Sequence, residues 1–190
     1  WDSSPPSEWV ANELRRDTNQ LRQTDLFTVV IDTFHDKRNG YLFSSNPLGA
    51  LSDEALTDEG NPNNDWNPVW DVKTGRFEGG WTIEMAIPFK SIRYNSGRDQ
   101  VWGVQLRRVI RHKNEYDYLT PLPRSMGGQI GVFRISRAAT LVGLDLPAAS
   151  TNLELKPYAI SRLNTDRNAA APLSNDLTGD IGIDVKYGLT

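Results

Sequence analysis

The sequence predicts an all-β protein, an antiparallel β-sandwich of the jelly-roll type. Short runs of β-branched and aromatic residues recur along the chain and alternate with turn signals rich in Asn, Gly and Pro. Helical periodicity is weak throughout, and no amphipathic helix separates successive strands, so a βαβ rhythm is not indicated. Short strands joined by turns are typical of antiparallel sandwiches and jelly rolls.

The first third of the chain holds a predicted hairpin. Ser7–Leu21 carries a weakly helical pattern that also fits an irregular strand and loop. Leu26–Ile31 is a β-branched apolar run, and Tyr41–Ser45 is predicted to return beside it, because Asn39-Gly40 is a strong hairpin-turn dipeptide. Residues 50–64 are acidic and rich in Asn, Gly and Pro, which predicts a long surface loop.

Further strands are predicted between residues 70 and 142. Trp81–Ile87 and Trp102–Ile110 alternate apolar and polar side chains, so each should place one apolar face on a core. Shorter strands are predicted at Trp70–Val72, Ile130–Phe133 and Ala139–Val142. Together with the first hairpin they supply enough strands for a sandwich.

The composition and residue pattern of the chain change near Pro147, which predicts two regions, residues 1–148 and 149–190. A small polar linker leads to a strand at Leu153–Ile160. From Ile181 to Leu189 every odd position is apolar and every even position is Asp, Lys or Gly. That alternation suits a membrane-barrel strand with one face toward lipid, and it also suits an amphipathic edge strand of a soluble sheet. The pattern alone leaves both open.

Composition excludes several classes of protein. The net charge is -3 and Lys and Arg are scattered, so no basic stripe for nucleic acid is present. Without Cys there is no disulfide scaffold, Cys-ligated zinc site or thiol nucleophile. No apolar run reaches the roughly 18 residues of a membrane helix. Nucleophile-elbow, phosphate-loop and paired-carboxylate signatures are lacking, so we expect a protein that is not an enzyme.

Several strings carry a resemblance to a known family. They are Ile31-Asp32-Thr33-Phe34, Asn46-Pro47-Leu48-Gly49, Gly80–Arg93 and Trp102-Gly103. Together they resemble the family-9 carbohydrate-binding-module-like domain, in the version found at the front of large Gram-negative outer-membrane proteins. The resemblance implies a glycan ligand, a place in the cell envelope (outer membrane or periplasm) and attachment to an outer-membrane β-barrel that begins within residues 149–190. It also implies that the sandwich is N-terminally truncated here.

Sugar binding requires an aromatic platform for C–H faces and planar polar groups for hydroxyls. The candidate ligand-binding residues are two tryptophans and four polar side chains: Trp66, Trp70, Arg107, Arg38, Asn64 and Glu115. The alternative for Trp70, like Trp81 and Trp102, is packing in the core, the usual role of large aromatics. The domain would then be a structural sandwich that caps or plugs the barrel. A third alternative is part of a glycan-hydrolysing protein.

Asp32, Asp36 and Asn39 are candidate metal ligands. They are spaced like oxygen donors around a turn, an arrangement that suits a hard cation such as calcium, and the resemblance implies calcium as well. The alternative is capping of the turn by Asx side chains. The sequence favours capping, because the run lacks the dense Asp spacing and the glycine of a dedicated calcium loop.

Overall fold

The computed structural model describes residues 5–147, 151–165 and 175–189. Antiparallel strands dominate them, and the helical segments of the described residues are short 3₁₀ turns, so the all-β prediction is confirmed. The chain divides into two compact units, Trp1–Ala148 and Ala149–Thr190, which are described separately.

The first unit is built on a curled antiparallel sheet. Its described strands are β1 (Leu26–Asp32), β2 (Gly40–Ser45), β3 (Leu51–Thr57), β4 (Asn61–Asn63), β5 (Asp71–Phe77), β6 (Gly80–Ala86), β7 (Gly97–Ile110), β8 (Glu115–Tyr118) and β9 (Ala139–Leu146). The sheet runs in the order β4-β3-β2-β1-β7-β8, and β9 also pairs with β7. Strands β5 and β6 form a separate hairpin. Strand β7 is therefore central, which makes both of its faces candidates for burial.

One face of the sheet carries an aromatic core, here called the tryptophan face. Phe43 of β2 is fully buried there, and the rings of Trp66 and Trp70 meet it edge-on at centroid distances of 5.7 and 5.2 Å. The β5–β6 hairpin packs over this core through Val72 and Met85. These two layers give the unit its sandwich character.

The opposite face of the sheet, here called the pocket face, carries a smaller core. Val30, Leu42 and Leu56 pack there against Val132 and Ile135. The last two belong to consecutive 3₁₀ turns, Gly128–Phe133 and Ile135–Arg137, which lie over part of the face.

The predicted surface loop at residues 50–64 is wrong, because these residues form β3 and β4. Two of the acidic residues that suggested a loop are buried: Asp53 is 1% exposed and Glu54 is 5% exposed. Arg16 lies 2.5 Å from the Asp53 carboxylate and Arg22 lies 2.8 Å from that of Glu54. Ion pairs with residues distant in sequence thus allow acidic side chains, which by composition favour the surface, to be buried in a strand.

Two other predictions made from local sequence also differ from the structure. Ile130–Phe133 is not a strand but part of a 3₁₀ turn, because its apolar side chains cover the sheet instead of joining the ladder. Ser7–Leu21 forms no regular helix; 3₁₀ turns lie at Pro6–Glu8 and Asn19–Gln23, with irregular chain between them.

The second unit is a long hairpin of β10 (Thr151–Thr165) and β11 (Asn175–Leu189). Its register places Leu155 opposite Val185 and Leu163 opposite Leu177, so these apolar side chains share one face, while Ile160 lies on the other face opposite Asp180. Among the residues that the structure describes, no helix has the length and apolar character needed to cross a membrane.

Candidate functional site

A pocket of about 180 Å³ opens on the pocket face. Alternate residues of β2 and β3 point toward it, and residues of the 3₁₀ turns flank it. The described lining combines apolar side chains with charged, hydroxyl and amide side chains: Leu21, Arg22, Leu26, Leu42, Ser44, Ser52, Glu54, Arg107, Gln129, Ile130 and Phe133. Such a mixture is typical of small-ligand sites, where a few polar groups fix orientation.

Arg107 is the buried cation of this pocket, with 5% of its surface exposed. Its guanidinium donates to the Gln129 carbonyl at 2.6 Å and to the Thr28 hydroxyl at 3.2 Å. Its Nε is buried and has no hydrogen-bond partner among the described residues. Burial lowers the pKa of Arg107, although nearby Tyr118 and Glu54 favour its charged form. A buried cation without a carboxylate at hydrogen-bond distance is costly to a fold.

Glu54 supplies the complementary acceptor. One of its carboxylate oxygens, Oε1, accepts from Arg22 at 2.8 Å. The other, Oε2, is buried and lacks a partner within the described part of the chain. Glu54 Oε2 and Arg107 Nε are both buried beneath the lining, so these two unpartnered atoms do not open onto the pocket.

A short relay of hydroxyls holds Arg107 in place. The Thr28 hydroxyl that accepts from Arg107 is 2.9 Å from the Ser44 hydroxyl across the β1–β2 pair. Thr28 is fully buried and Ser44 is 3% exposed. Because these residues lie within paired strands, the guanidinium is positioned by the rigid sheet and not by a loop.

The structure brings Trp66 and Trp70 together but places them on the tryptophan face. Trp66 is partly buried, and its ring lies against Tyr41 at a centroid distance of 4.8 Å. Trp70 is 6% exposed and donates its indole N–H to Asp53 at 2.8 Å. Both rings contact Phe43, and the next residue of β2, Ser44, points to the opposite face and lines the pocket, so neither ring shares the pocket of Arg107.

The other three predicted polar ligands are exposed and lie away from the pocket lining as described. Arg38 forms an exposed ion pair with Asp58 at 2.5 Å. Asn64 follows β4 in a turn, and Glu115 begins β8. Of the six predicted ligand residues, Arg107 is thus the one in the described lining of the pocket.

Asp32 caps the turn after β1 with its own carboxylate. Its Oδ1 accepts from the backbone N–H groups of Phe34 and Asp36 at 3.3 and 3.2 Å, and its Oδ2 accepts from that of Lys37 at 2.8 Å. Such Asx capping satisfies the turn's N–H donors without a metal.

Asp36 and Asn39 are hydrogen-bonded to each other within the same turn. The Asn39 side-chain amide donates to Asp36 at 2.7 Å, and the Asn39 backbone N–H donates to it at 2.8 Å. Burial raises the pKa of Asp36, but hydrogen bonds from Asn39 and Arg38 outweigh it and hold the pKa below its ordinary value. Within the described ranges no group of three or more His, Cys, Asp or Glu is arranged to hold a metal ion. The geometry favours capping, and calcium binding stays a prediction.

Comparison with protein-family models, with curated proteins and with solved structures finds no match to this chain. The resemblance to carbohydrate-binding modules therefore stays a prediction. The described residues form an all-β domain with a small charged pocket on its pocket face, and a separate hairpin with exposed apolar side chains.

Proposed function

We propose that the first unit is a non-catalytic carbohydrate-binding module whose site is the pocket around Arg107 and Glu54. The observation that carries the proposal is the mixed lining of the pocket, where the charged side chains of Arg107 and Glu54 lie beside the hydroxyl of Ser44. Sugar hydroxyls both donate and accept hydrogen bonds, so a donor and an acceptor in one pocket match them. Phe133 and Ile130 supply apolar surface for the C–H face of a ring.

The size and charge of the pocket support a binding role. At about 180 Å³ it is below the roughly 300–1,000 Å³ of pockets for larger ligands, which suits a single terminal sugar unit. Glycoside hydrolysis generally needs two carboxylates beside the scissile bond. Glu54 is the one carboxylate in the lining that the structure describes.

Isothermal titration of the whole chain with a panel of monosaccharides tests this proposal. Arg107→Met should weaken sugar binding at least tenfold, because it removes the donor. Arg38→Met, the same change at an exposed arginine, should leave affinity unchanged. Loss of binding on Trp66→Ala but not on Arg107→Met would place the site on the tryptophan face. Absence of binding to every sugar would favour the purely structural sandwich.

The β10–β11 hairpin supports a second proposal, that residues 149–190 belong to an outer-membrane barrel and attach the module to the cell envelope. On its apolar face Ile181 is 85% exposed, Leu177 71% and Leu163 66%. Leu177 to Val185 is about nine residues, close to the length of a tilted membrane strand. Exposed apolar surface of this kind is unusual in water and ordinary in lipid.

Flotation of the chain with phospholipid vesicles tests the second proposal. The double variant Ile181→Asp/Ile183→Asp should lose vesicle association, because both charges enter the apolar face. Thr178→Asp adds a charge on the other face of the same strand and should retain it. Equal flotation of both variants, or none by the unaltered chain, would contradict lipid contact.

A further inference from the structure

We infer that Tyr158 and Gly182 set the register of the β10–β11 hairpin and thereby keep its two apolar stretches level with each other. The two residues lie directly opposite each other in the antiparallel pair, on the face that also carries Lys156, Asp180 and Asp184, here called the charged face. The consequence for membrane attachment rests on the proposed lipid contact of the other face, whereas the contact between ring and glycine does not.

The ring of Tyr158 occupies the space over Gly182. A Cβ at Gly182 would overlap the hydroxyl and the ring carbons of Tyr158. From Leu177 to Val185 every residue is exposed except Gly182, which is half-buried. The backbone of Gly182 lies within a strand and has no positive φ, so its dihedral angles do not require glycine. The close approach of the ring explains why a glycine occupies this position.

The apolar face cannot define the register by itself. Because side chains alternate along a strand, a slip of two residues leaves every side chain on its own face. In the observed register Leu155 lies opposite Val185, and a slip of two in one direction would place it opposite Ile183, which is equally apolar. Discrimination between these registers therefore has to come from the charged face.

The charged face distinguishes the observed register from both slipped ones. Tyr158 lies opposite a glycine, and a slip of two residues would place it opposite Asp180 in one direction or Asp184 in the other. The ring would then lose the open backbone on which it lies and would cover a carboxylate, which is costly to desolvate. Lys156 lies opposite Asp184, and either slip would also separate this pair of opposite charges.

The register matters for lipid contact because it fixes the depth of each apolar stretch. The stretches Leu155–Leu163 and Leu177–Val185 lie level with each other in the observed register. A slip of two residues would offset them by about 7 Å, a large part of the roughly 25 Å apolar band of a membrane barrel. Tyr158 is thus a positioning residue, since it lies on the charged face and acts on the apolar face through the pairing of the strands.

Disulfide trapping in the whole chain tests the inference, because the chain contains no Cys. The pair Leu155→Cys/Val185→Cys reports the observed register. The pairs Leu155→Cys/Ile183→Cys and Ala159→Cys/Ile183→Cys report a slip of two residues in either direction. Directly opposed residues have Cβ atoms about 4.5–5.5 Å apart and diagonal neighbours are about 7–8 Å apart, so under mild oxidation the directly opposed pair should cross-link fastest.

Gly182→Ala should lower the preference for the observed register by about fivefold, because its methyl group displaces the Tyr158 ring. Tyr158→Ala should lower the preference equally, and Tyr158→Phe should preserve it. The double variant Tyr158→Ala/Gly182→Ala should be no worse than either single variant, since both remove the same contact. Gly179→Ala is the matched control in the same strand: its Cβ would meet the Ile160 carbonyl oxygen at 3.8 Å, an ordinary contact, so the preference should not change.

Each trap is measured both in buffer and with phospholipid vesicles, so that the register and the lipid contact can fail separately. Because glycine weakens the interior of a strand, alanine should otherwise strengthen the pairing. An unchanged preference in Gly182→Ala, or an equal fall in Gly179→Ala, would therefore overturn the inference, as would the absence of any cross-link in both media. A register that responds to Gly182→Ala in a chain that does not float with vesicles would support the inference and overturn the lipid contact.

Discussion

Replacing Arg107 by Met should leave the domain at least as stable as the unaltered chain. The change removes a buried charge but keeps a long, unbranched side chain in the pocket. A cation retained for ligand binding, and not for packing, is expected to reduce the stability of the free protein. The substitution therefore separates a binding role from a structural one.

The magnitude follows from the contacts of the guanidinium. Hydrogen bonds to Thr28 and Gln129 are lost, each worth about 1.5–3 kcal/mol for a charged donor. Thr28 keeps its contact with Ser44, and Gln129 is exposed to water, so little is left unsatisfied. Relief of the desolvation penalty is several kcal/mol. We expect the free energy of unfolding to stay level or rise by up to about 2 kcal/mol.

Urea unfolding followed by tryptophan fluorescence measures this difference. Arg108→Met is the matched control on the opposite side of β7, where Arg108 lies over the Trp81 ring at 4.9 Å and 3.7 Å from buried Asp25. The control should be destabilised by about 1–3 kcal/mol, since it leaves Asp25 less well paired. A loss above about 3 kcal/mol in Arg107→Met, with an unchanged m-value, would make Arg107 a structural residue and refute the reasoning.

Three further predictions follow. Phe43→Ala should lower the free energy of unfolding by about 3–5 kcal/mol in urea titrations, because Phe43 is fully buried among aromatic rings. The side-chain hydrogen bond from Arg15 lowers the pKa of Glu13 from 4.5 to about 2. Glu13 therefore stabilises the fold above pH 4.5, and Glu13→Gln should be less stable at pH 7 and converge with the unaltered chain toward pH 2. Millimolar calcium should leave the Tm unchanged, because Asp32 already caps its turn; a clear rise would indicate calcium ligation.

Local sequence patterns predict the strands correctly where the structure depends on residues that are close in sequence. The β1–β2 hairpin follows from a β-branched run, the Asn39-Gly40 dipeptide and a second apolar run, and the structure pairs Ile31 with Tyr41 across it. The alternation in β6 likewise predicts which side chains face the core, and Met85 packs there.

The pocket could not be predicted from local sequence, because the burial of its residues depends on partners distant in sequence. Glu54 sits in an acidic stretch whose burial requires Arg22, 32 positions away, so its composition alone indicated a surface loop. The alternation in β7 predicts burial of the face that carries Trp102, but Gln105 and Arg107 on the other face are buried as well. That second burial arises from the 3₁₀ turns of residues 128–137, and no pattern within β7 reveals it.

The separation of the tryptophans from Arg107 is a matter of strand register. Phe43, which both rings contact, and Ser44, which lines the pocket, are adjacent in sequence and point to opposite faces of β2. A shift of one residue in pairing would exchange the two faces. Composition identifies the kinds of residue that bind sugars, but only the register decides which of them share a site.

The location of the sugar site can be observed directly by ¹H–¹⁵N NMR of arginine Nε–H and tryptophan indole groups during a titration with the monosaccharide that binds most tightly. We predict a saturable shift of the Arg107 Nε–H signal, with the signals of Arg38 and of the Trp66 and Trp70 indoles unchanged. Shifts confined to the two indoles, with Arg107 unaffected, would contradict a binding site on the pocket face.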